Sequence, residues 1–134
     1  MASMLSRRFS TTLLALAVPM LAQAATSSAV SNQVSVAGIH ADMAIDATQL
    51  ETTQLHLHHV INCLEGPTGK DFDAKATNPC HGMGQGAIVD AKDDPQVEAH
   101  LNAALKEAKQ GLHATTLQAA HADARGAFTL LQHV

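Results

Sequence analysis

The stretch HADMAIDATQLETTQLHLHHVINCLEGP, His40 to Pro67, decides the reading of the fold. Met43, Ala47, Leu50, Leu57, Ile61 and Leu64 fall at three- and four-residue steps, with Gln54 in the one polar gap. That is the repeat of one face of an α-helix. Gly66-Pro67 ends it, because glycine suits the C-terminal cap and proline cannot continue the backbone ladder. The spacing predicts one helix over 40–65. Within it, His56, His59 and Cys63 share a face, since steps of three and four bring side chains together. His58 points elsewhere.

Downstream, residues 66–94 are punctuated by Gly and Pro throughout and read as a long loop. Loops of this length in small domains are functional or tied down. Cys63 at the helix end and Cys80 in mid-loop are the only cysteines. A Cys63–Cys80 disulfide would staple this loop, closing roughly 18 residues for about 3 kcal/mol. Asp94-Pro95 then opens a second helix, with Asp94 as cap and proline at the first helical position. Its stripe is Val97, Leu101, Ala104, Leu105 and Ala108, over 95–110. Gly111 marks a break, and Leu117, Ala120, Ala124, Phe128 and Leu131 carry a third helix over 112–132. The fold class is all-α: an antiparallel helical bundle of three long helices with one disulfide-stapled loop. A second copy would complete a four- or six-helix core, so a homodimer is an open alternative.

Upstream, residues 1–24 read as a cleaved signal peptide. Arg7 and Arg8 precede a short apolar run from Thr11 to Ala22, and Ala22-Gln23-Ala24 offers a small-x-small cleavage site. The run is too short to span a bilayer, which takes about 20 apolar residues. Sec export is the first expectation; the Arg-Arg pair leaves the twin-arginine route open. Residues 25–39, small and polar, are expected to form a flexible arm before the bundle domain of 40–134. The protein is therefore expected to be periplasmic or secreted, with no membrane partner after cleavage. An oxidising compartment also favours the disulfide.

The chain carries 8 Lys and Arg against 12 Asp and Glu. Without Arg7 and Arg8 the balance becomes −6, which excludes a phosphate-tracking face and argues against nucleic acid. Nine histidines stand beside no Trp and no Tyr. Neutral imidazole is a ligand for Cu, Ni and Zn ions. The candidate metal ligands are His56, His59, His100, His113 and His121, with His58 and His81 in reserve. Met43 and Met83 read more readily as packing and loop residues than as thioether ligands. There is no H-E-x-x-H, no C-x-x-C and no phosphate loop, and every serine falls at or before Ser35. The chain is not expected to be an enzyme.

The segment VEAHLNAALKEAKQGLHATTLQAAHADARGAFTLLQH resembles the small metal-binding protein family, over roughly residues 95–133. That resemblance implies a periplasmic bacterial helical bundle with histidines on Ala-rich helices, binding divalent transition metals. His100, His113 and His121 match the kind of position at which that family carries histidines. The stretch HLHHVINCLEGPTGKDFDAKATNPCHGMGQGAI is also similar to a module of exported proteobacterial proteins whose chemistry is not settled. The leading expectation is metal buffering or tolerance. Two alternatives stay open: a structural or stress-related bundle with incidental histidines, and a haem b protein with Met43 or His40 facing His121 or His113.

Overall fold

The computed structural model describes residues 26–134. The expected signal peptide, residues 1–24, lies outside the described residues. The regular elements among the described residues are all helices, with no strand: α1 (Ser28–Asp46), α2 (Leu50–Glu65), α3 (Ala87–Asp90), α4 (Pro95–Leu112) and α5 (Leu117–Leu131). No described helix is long and apolar enough to cross a membrane.

The expected arm is instead the first half of α1. Ser27 caps it, its side-chain oxygen accepting from the Val30 amide at 3.3 Å. Val30, Gln33, Ala37, Gly38, Ala41 and Ala44 form its buried stripe. Most of these are small or polar, so the stripe contrasts weakly with the Ser and Asn around it. The same small side chains let neighbouring helices approach closely.

The single helix expected over 40–65 is two helices. The chain breaks at Ala47–Gln49 without a glycine or proline. The break is held from a distance: His121 on α5 donates from Nε2 to the Ala47 carbonyl at 2.8 Å. A three-residue connection makes α1 and α2 a helical hairpin. α4 and α5 form a second hairpin, with Asp94 and Thr116 as side-chain caps. α1 packs on α2 and α5, and α4 packs on the same two helices, which closes a ring of four long helices. The fourth helix of the ring is thus α1 of the same chain.

Gly111 does not break the chain as expected but lies inside α4, buried. A Cβ there would meet Leu57 Cδ1 at 2.7 Å and the Ala120 carbonyl at 3.3 Å. It marks a close approach of α4 to α2 and α5, and the turn falls later, at 113–116.

Residues 66–94 cross from α2 to α4, and one turn of helix, α3, forms within them. The Cys63–Cys80 disulfide is present, with Cα atoms 5.2 Å apart. Asn62, fully buried, acts as a second anchor. Its Nδ2 donates to the carbonyls of Asp73, Ala76 and Thr77, and its Oδ1 accepts from the Asp73 amide at 2.9 Å. Buried Gln33 of α1 bonds Asp90 Oδ2 and the Gly86 amide from the other side. Gly66 (φ 67°) and Gly86 (φ 119°) meet backbone to backbone, and a Cβ on Gly66 would stand 1.9 Å from the Gln85 carbonyl. Only glycine fits both the conformation and the space.

Candidate metal centre

The hairpin decides which histidines meet. His40 lies eight residues before Thr48 in the turn and His56 eight residues after it, so folding back at Thr48 brings them level. His59 follows His56 by one helical turn on the same face. His40 Nδ1 lies 3.2 Å from His56 Nδ1 and 3.2 Å from His59 Nδ1. The ring centroids are 4.7 to 5.7 Å apart. Among the described residues, these three are the one group of three or more His, Cys, Asp or Glu whose donor atoms all fall within 4.8 Å of one another.

The rings are partly buried, and burial lowers the pKa of all three. For His40 the value falls to about 4, with desolvation the main cause and the neighbouring charges of His59 and His56 adding to it. His59 is lowered by burial first, then by His56 and His58. The cluster is therefore neutral near pH 7, the form in which imidazole offers a lone pair. Residues 28–65 contain Asp42, Asp46, Glu51 and Glu65 and no Lys or Arg.

Three neutral rings meeting at Nδ1 cannot satisfy one another fully. Each Nδ1 either carries a proton or offers one lone pair, and His40 Nδ1 faces two partners. A metal ion would relieve this, since each neutral ring could carry its proton on Nε2 and offer its Nδ1 lone pair as a ligand. Metal–nitrogen bonds of about 2.0–2.1 Å at tetrahedral angles place ligand nitrogens roughly 3.3–3.4 Å apart. The His40 contacts to His56 and His59 are close to that spacing.

The structure therefore groups His56 and His59 with His40, a residue that the sequence alone offers only as a haem-ligand candidate. It does not bring His100, His113 or His121 to them. His100 is exposed on α4, its Nδ1 against the Gln96 carbonyl of its own helix at 3.0 Å. His113 is exposed at the end of α4 and lines a broad groove of about 910 Å³ with Lys70, Lys106 and Lys109. The Nε2 of His121 serves the Ala47 carbonyl. His58 faces the Asp73 carboxylate at 3.7 Å, and His81 is exposed. With His40 in the cluster and His121 holding the turn, the structure does not set these two as a free axial pair for haem b.

Searches of protein-family models, curated proteins and solved structures find no match to this chain.

Proposed function

We propose that this protein is an exported helical module that binds a transition metal ion, Cu, Ni or Zn, and serves metal buffering or tolerance. His40, His56 and His59 hold the ion through Nδ1. One observation carries the reading: His40 Nδ1 stands 3.2 Å from the Nδ1 atoms of both His56 and His59. The lowered pKa values and the cation-free hairpin support it, because both keep the donors available.

The test is calorimetric titration of the untagged chain, disulfide intact, with Cu(II), Ni(II) and Zn(II). Near-stoichiometric binding is expected, lost in His40→Ala and in His56→Ala/His59→Ala and retained in His100→Ala/His113→Ala. Binding no tighter than about 0.1 mM, some 5–6 kcal/mol, or binding indifferent to His40, would overturn the assignment.

A further inference from the structure

Three nitrogens leave a four-coordinate ion one ligand short. Cys63 shares the histidine face of α2 but is held in the disulfide. Among the described residues, no carboxylate joins the group. Met43 is different. It follows His40 by three residues on α1, and side chains at that spacing are neighbours on the helix surface.

Its environment overturns the packing role expected for it. Met43 is 46 % exposed and lies outside the core, whereas Met83 is partly buried against the core. Scattered exposed apolar residues are ordinary. Among the described residues, the exposed large hydrophobic ones are Ile39, Met43, Leu55 and Val89. Met43 lies one turn from His40, Leu55 lies one turn from His59, and Ile39 adjoins His40 in sequence. By helical spacing, Met43 and Leu55 each adjoin a histidine of the cluster, and of the two only the methionine has a donor atom. Its unbranched side chain has three rotatable bonds and a polarisable sulfur. Nothing in the core holds it in place.

Resting on the three-histidine reading, we propose that Met43 Sδ is the fourth ligand and that the completed N3S set selects copper, Cu(I) included, over zinc. Soft thioether donors favour cuprous ion, while imidazole serves either copper state.

The experiment compares the untagged chain with Met43→Leu, which keeps a long apolar side chain at an exposed position, and with His40→Ala. Cu(I) supplied anaerobically is partitioned against a chromophoric chelator, Zn(II) binding is followed by calorimetry, and X-ray absorption is recorded on the Cu(I)-loaded protein. Met43→Leu is expected to weaken Cu(I) about tenfold or more and to leave Zn(II) within about twofold, because only copper gains from the soft donor. The sulfur scatterer seen in the parent should vanish in the variant. Unchanged Cu(I) affinity without a sulfur scatterer, while His40→Ala abolishes binding, would overturn the Met43 assignment and leave the three-histidine site standing. Indifference to both substitutions would overturn the site itself.

Discussion

The two helical hairpins carry similar numbers of histidines and use them differently. In α1–α2 the histidines face across the seam: His40 meets His56 and His59 at 3.2 Å. In α4–α5, His100 and His113 are exposed, and His121 serves the backbone of the other hairpin. Charge separates them further. Residues 28–65 have four carboxylates and no Lys or Arg, whereas residues 95–131 balance Glu98, Glu107 and Asp123 against Lys106, Lys109 and Arg125. Histidine content is therefore a poor guide to a metal site. What matters is where the chain turns, because the turn sets which imidazoles come level.

The most damaging way to break this contrast is to release the end of α2. Cys63→Ser with Cys80→Ser should cost about 3 kcal/mol, given a closed loop of roughly 18 residues. That should appear as a lowered thermal midpoint and as protease cleavage within 66–94. Unchanged midpoints would mean that hydrogen bonds alone tie the loop. Asn62→Ala comes next. It strips donors from three carbonyls and an acceptor from the Asp73 amide, and should cost about 2 kcal/mol in denaturant unfolding.

Acid should act on the first hairpin through its histidines. In the folded, metal-free chain His40 titrates at about 4, below the ordinary 6.5, chiefly because it is buried. The unfolded chain takes up that proton first. Stability is therefore intact above pH 6.5 and is lost as pH falls from 6.5 toward 4. Discounted for partial exposure, the His40 share is about 1 kcal/mol. His40→Ala should flatten that part of the stability–pH curve, and an unaltered slope would count against the burial of this ring.

A smaller effect joins the hairpins. His121→Ala frees the Ala47 carbonyl and should cost about 1 kcal/mol or less, with a measurable loss of metal affinity because the turn positions His40. His100→Ala and His113→Ala should each stay within about 0.5 kcal/mol, with metal affinity unchanged. If either removed binding, the contrast between the hairpins would fail.

Much of this architecture is legible in local signals. Gly66-Pro67 stops α2, Asp94-Pro95 starts α4, and two cysteines in an Ala-rich chain with an export-like leader imply their pairing. The shared face of His56, His59 and Cys63 follows from helical spacing alone. The start of α1 is hidden because its buried positions there are Val30, Gln33, Ala37 and Gly38, one of them polar and two of them small, so no apolar stripe stands out. The break at Ala47–Gln49 is hidden for another reason. Its stabilising bond comes from His121, 74 residues away, and no local pattern announces it. Missing that break also hides His40, since only a reversal of the chain brings it beside α2. Gly111 misleads in the opposite direction, because a glycine needed for close packing looks like a helix stop.

The anchoring of α2 has a consequence for how the cluster would behave in use. His59 is followed within four residues by Asn62, with its four hydrogen bonds, and by Cys63, covalently tied to the crossover. The floor of the cluster is thus fixed before any ion arrives, and little chain entropy remains to be lost on filling. Such a cup fills and empties with almost the same shape. It would have little conformational news to pass to a partner, which suits a reservoir or a carrier better than a sensor.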